Sequence, residues 1–120
     1  MTPLRLVAEA GTRRVLFGSE ARAVVPIGRV TRVPGLPSPA LGITLFEGRA
    51  VLVLELDPSA EPKLGVVCDA SGEVIVFAAT RVGTAGEIRA TEELDADRVL
   101  SMLGSDVWTR QARRRATLET

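Results

Sequence analysis

The stretch Ala50-Val51-Leu52-Val53-Leu54 is apolar at every position. A strand with one wet face alternates polar and apolar residues, so this one must be covered on both faces. In a chain of 120 residues, about the usual size of one domain, a small closed barrel meets that need. The prediction is therefore a mostly β protein with one core, or two small lobes sharing one.

The flanking sequence agrees. Leu41-Gly42-Ile43-Thr44-Leu45-Phe46 is a second apolar run, and Glu47-Gly48-Arg49 between the two is a tight polar turn whose glycine can take positive φ. Upstream, Val33-Pro34-Gly35-Leu36-Pro37-Ser38-Pro39 carries three prolines. Proline lacks an amide donor and fixes φ, so this stretch is neither a helix interior nor a central strand. It reads as a stiff crossover loop. After a loop at Asp57–Pro62, Leu64–Asp69 and Glu73–Ala79 form another hairpin about Ala70-Ser71-Gly72. Its Val, Ile and Phe side chains suit a pleated surface.

At the start, Arg13–Phe17 reads as a strand after a turn at Gly11-Thr12, with another strand across Leu4–Ala8. Ser19 can cap a single helical turn through Glu20–Ala23, and Val24–Ile27 continues extended before and through Pro26. Only the end looks helical. Asp95 is a plausible N-cap, acids crowd the start (Glu92, Glu93, Asp97), and Ala96, Val99, Leu100 and Leu103 share one face. Gly104 stops that helix, placing it near residues 95–104. Residues 105–120 form a basic tail, helical or frayed, with four arginines against Asp106 and Glu119 and one aromatic, Trp108.

Charge and chemistry narrow the function. Fifteen basic and fifteen acidic side chains leave no net charge, which argues against nucleic acid as the main partner. Cys68 is the only cysteine, so no internal disulfide forms, and its apolar run suits a buried thiol. No apolar run nears 18 residues and no leader pattern opens the chain, so no membrane insertion and a cytoplasmic location are expected. The chain has no histidine, the commonest general base and metal ligand. Gly83-Thr84-Ala85-Gly86 lacks the lysine of a phosphate loop and reads as a turn. The acids at Glu92, Glu93, Asp95 and Asp97 do not fit a calcium loop, and Glu55 and Asp57 flank Leu56 at a strand end, facing water. These absences predict no catalytic residues, no metal, no cofactor and no enzyme.

The order of signals resembles one known family. Val33-Pro34-Gly35-Leu36-Pro37, Leu41-Gly42-Ile43, Glu47-Gly48 and Val51-Leu52-Val53-Leu54-Glu55-Leu56 are similar to the central signature of CheW-like domains, and Leu94–Leu100 is similar to their closing segment. The resemblance covers about residues 4–103. It implies a pair of small SH3-like β-barrels, the second shortened, with a C-terminal helix, all within a domain of residues 1–104. It also implies an adaptor that couples the cytoplasmic domain of a chemoreceptor to the regulatory domain of a CheA-type histidine kinase. The surface implied is the strand around Ala21, Ala23 and Val25 with the turn at Leu45, Phe46, Glu47 and Arg49.

The departures are specific. The family's usual Asn-Leu-Arg-Gly reads Leu45-Phe46-Glu47-Gly48, its strand proline is Leu52, and Thr80 stands where an Asp is frequent. Between Ile88 and Leu94 the connection is short, with no room expected for an approach strand. This shortening resembles the small second CheW-type protein of Frz pathways. Two other functions compete: a regulator that binds receptor or another partner without recruiting kinase, and a small ligand-binding or enzymatic barrel.

Removing residues 105–120 is expected to change unfolding free energy by no more than about 0.5 kcal/mol in urea titrations. A clear loss of stability would show instead that Trp108 docks on the barrel.

Overall fold

The computed structural model describes residues 5–27, 30–33, 35 and 39–102. Nine strands are β1 (Leu6–Ala10), β2 (Arg13–Phe17), β3 (Ala21–Pro26), β4 (Ala40–Phe46), β5 (Arg49–Glu55), β6 (Leu64–Ala70), β7 (Glu73–Ala79), β8 (Arg81–Thr84) and β9 (Glu92–Leu94). One helix follows, α1 (Ala96–Met102). Most of the proline loop, together with Leu103, Gly104 and the tail, lies outside the described residues.

Two sheets result. One has five strands in the order β3-β6-β7-β5-β4; the other has four in the order β8-β1-β2-β9. The fold is mostly β with a short closing helix, as the sequence predicts.

From Val51 to Leu54 the apolar run in β5 is covered on both faces, whereas Ala50 beside the turn is exposed. Val51 and Val53 face a cluster with Leu41, Val67, Val76 and Ala78, the interior of the five-stranded sheet. Leu52 and Leu54 face the opposite way, into a larger core shared with Ala8, Ala10, Val15 and Phe17 of the other sheet. β6 and β7 divide in the same way, with Val66, Cys68, Ile75 and Phe77 in the shared core. At its centre the rings of Phe17 and Phe77 sit 5.5 Å apart and tilted by 57°, a geometry aromatic pairs favour. α1 adds Ala96 and Leu100 to the same core. Asp95 caps it: its carboxylate accepts from the Arg98 amide at 3.2 Å.

The five-stranded sheet closes on itself. After β3 the chain turns onto the free edge of β4, where Thr31 and Ile43 exchange backbone bonds of 2.8 and 2.9 Å. A bulge between Ala40 and Gly42 bends β4 there. The approach leaves no room for a side chain at Gly42, because a Cβ would lie 2.9 Å from the Thr31 carbonyl carbon.

Two sequence expectations are corrected. The helical turn through Glu20–Ala23 does not form: Ala21 and Ala23 pair with Cys68 and Val67 in a ladder. That ladder satisfies their backbone groups along a whole strand, which one isolated helical turn cannot do. Ser19 and Glu20 only turn the chain, with the Ala21 amide donating to the Gly18 carbonyl. Glu92 and Glu93 are not helix-start acids but belong to β9, parallel to β2. Arg13 holds Glu92 through a two-nitrogen ion pair and also donates to the Leu56 carbonyl. The short connection thus does contain a strand. Of the stretch Gly83–Gly86, expected as a turn, Gly83 and Thr84 end β8 and only Ala85 and Gly86 turn, with the Thr84 carbonyl accepting from Glu87 and Ile88.

Gly42→Ala should destabilise the chain by roughly 1–3 kcal/mol, the usual cost of overpacking, in urea unfolding. Wild-type stability in that variant would contradict a tight closure at Thr31–Ile43.

Candidate interaction surface

The sequence-predicted surface residues come from two elements that the barrel closure brings together. β3 and β4 are the opposite edges of the five-stranded sheet; Thr31, beyond β3, bonds to Ile43 of β4, and Arg22 of β3 reaches Phe46 and Glu47. Phe46 and Arg49 pair across the hairpin, leaving Glu47 and Gly48 as a two-residue turn. Both turn residues have positive φ, 52° and 77°, the mirror-image turn that matches the twist of the strands. A non-glycine residue tolerates this conformation only at some cost, so Glu47 is held in place by the turn itself.

The individual residues sort by face. Leu45 is 76% exposed and Val24 40%, the exposed large hydrophobics among the described residues. Phe46 is partly buried against the barrel interior. Ala23 and Val25 also pack on that interior, and Ala21 packs on the shared core. On β3 it is instead Arg22, Val24 and Pro26 that face outward. The sequence reading named the strand but chose its inward face.

Arg22 is the residue the sequence reading missed, and it joins the two parts of the surface. Its guanidinium donates to Asp69 on β6 at 3.2 Å and lies 4.0 Å from the Glu47 carboxylate. It also stands 5.8 Å from the centre of the Phe46 ring, within cation–π range. All three charged side chains are well exposed, so each pair contributes little stability, about 1 kcal/mol or less. The cluster orients more than it stabilises. An alternating strand beside a hairpin would have pointed to Arg22 only if the closure of the barrel were known.

The remaining described residues bring few reactive groups together. Among the described residues no three His, Cys, Asp or Glu side chains are placed to hold a metal ion. A cleft lined by Leu41, Glu55, Asp57, Ala60, Glu61, Pro62, Ala78 and Ala79 has room for only about 10 Å³, one water at most. The Asp57 carboxylate at its rim accepts from the Ser59 hydroxyl and amide at 2.6 and 2.9 Å. Those bonds hold it below the ordinary carboxylate range and close a local turn. No helix among the described residues is long and apolar enough to cross a membrane.

The described residues thus form two packed β lobes with filled cores and an exposed hairpin tip. No protein-family profile matches the sequence, and no curated protein matches it by sequence. A solved structure does resemble it: the scaffolding protein TtCheW from Thermoanaerobacter tengcongensis. That likeness has a TM-score of 0.60 at 15% identity and covers 70% of this chain and 64% of that one. The fold is CheW-like, and the chain spans 64% of the length of that solved protein.

Burial, and then the nearby charges of Glu20 and Asp69, push the Cys68 thiol up to about 12. A raised value means the fold holds the neutral thiol. Its contribution to stability is complete below the ordinary value of 9.0 and declines as pH rises toward about 12. At pH 8 a thiol-alkylating reagent should therefore modify the native chain far more slowly than the urea-unfolded one. Equal rates would place Cys68 in solvent.

Proposed function

We propose that this chain is a non-enzymatic adaptor of a bacterial chemosensory pathway. It couples the cytoplasmic domain of a chemoreceptor to the regulatory domain of a CheA-type histidine kinase. One observation carries the reading: the fold resembles that of a CheW scaffolding protein. A filled barrel interior and an apolar hairpin tip support it. The tip offers Leu45, Phe46, Glu47 and Arg49, and β3 offers Val24 beside them. A soluble adaptor of this kind works in the cytoplasm.

A second reading keeps the receptor and drops the kinase. The turn that resembles the family carries Glu47 where the family carries a cation. That anion is answered within the chain by Arg22, 4.0 Å away. A partner surface built to meet a cation at that turn would meet a carboxylate here, and like charges face to face oppose association. The chain then regulates a receptor, or another partner with a basic residue, without recruiting kinase. The shortened form of the small second CheW-type protein of Frz pathways belongs with this reading.

The two readings separate on Glu47→Arg. Affinity for a receptor cytoplasmic fragment and receptor-stimulated autophosphorylation of a CheA-type kinase would be measured at low and moderate salt. The adaptor reading expects wild-type protein to bind the fragment and stimulate kinase, and the substitution to raise kinase coupling by more than about twofold. The effect should shrink as salt shortens the Debye length. Receptor binding with no kinase effect from the wild type, whether or not Glu47→Arg gains one, favours the regulator. No binding to the receptor fragment sinks both.

A further inference from the structure

Hairpin tips move unless something holds them, because their ends have few packed neighbours. This tip has a strained residue at its apex, Glu47 at φ 52°, and, two residues before it, the exposed Leu45. What ties it to the barrel at the β3 side is Arg22. The guanidinium is planar and presents several donors in a fixed fork. Here it reaches Asp69 on β6, Glu47 on the turn and the face of Phe46 from one position. Asp69 is itself fixed by its backbone: its amide donates to the Glu20 carbonyl at 2.9 Å. The anchor therefore runs from β6 through Arg22 to the tip.

We propose that Arg22 is the positioning residue of the interaction surface: it clamps the β4–β5 tip to β3 and β6, so that Leu45 is presented to the partner in one orientation. The proposal rests on the receptor-binding reading for its binding consequence, but the clamp itself is a property of the free chain. A lysine at this position is a single point of charge. It cannot bridge two carboxylates and cover a ring at once, so it restores the clamp only in part.

The test compares wild type with Arg22→Ala, Arg22→Lys, Asp69→Asn and Leu45→Ala. Amide hydrogen exchange at residues 45–50 is read in the free chain, and affinity is read against a receptor cytoplasmic fragment. Arg22→Ala should speed exchange at the tip by about fivefold or more, leave exchange in β6 and β7 unchanged, and weaken binding by a similar factor. Arg22→Lys and Asp69→Asn should fall between. Leu45→Ala should weaken binding without loosening the tip. Wild-type exchange at the tip in Arg22→Ala overturns the clamp, whatever the binding result. If Arg22→Ala weakens binding with the tip still protected, Arg22 is a direct contact and the proposal is also wrong. If wild type does not bind the fragment, the receptor reading fails while the exchange data still decide the clamp.

Discussion

Everything in this molecule hangs on three strands that are buried on both faces. β5, β6 and β7 send alternate side chains into two different cores. One face fills the five-stranded barrel and the other carries the smaller sheet and α1. Phe77 belongs to the shared core and meets Phe17 from the other sheet. Burying a large side chain fully gives about 1.5–3 kcal/mol relative to exposure. Each doubly covered strand thus contributes apolar burial twice over, once to each lobe. A chain poor in aromatics can hold two lobes together because its aliphatic strands serve both.

That arrangement also limits where the proposed partner could bind. With both faces of the central strands taken, the free surfaces are at the edges and tips. Closure of the barrel through Thr31 and Ile43 then brings the two edge strands to one seam. Gly42 permits this closure because no side chain fits against the Thr31 backbone. Arg22 and Glu47, distant in sequence, become neighbours as a result. The proposed interaction surface is a by-product of how the sheet closes.

Much of this was legible in the chain itself. The unbroken apolar run in β5 announced a strand covered twice, and the turns expected at Glu47-Gly48-Arg49 and Ala70-Ser71-Gly72 mark hairpins that form, with Arg49 and Ala70 drawn into the paired strands. Asp95 announced its helix. Other features were not, for physical reasons. Ser19 and the acids at Glu92 and Glu93 obey local rules for helix starts, but tertiary ladders with β6 and β2 outweigh those preferences. The inward face of β3 was mistaken for the outward one. Alanine and valine on one face and arginine and valine on the other are nearly ambiguous by pattern, and the bulge between Ala21 and Ala23 breaks the alternation. Arg22 has meaning only in three dimensions, where its strand meets a hairpin tip.

The central claim is that this closed, doubly packed fold binds its partner through the seam between β3 and the β4–β5 tip. Titrating a labelled chain with a chemoreceptor cytoplasmic fragment, while recording backbone amide and methyl resonances, tests it most directly. The largest shifts should gather at Arg22, Val24, Leu45 and Phe46, with β8 and β9 unmoved. Shifts concentrated on the four-stranded sheet, or none at any ratio, would contradict it.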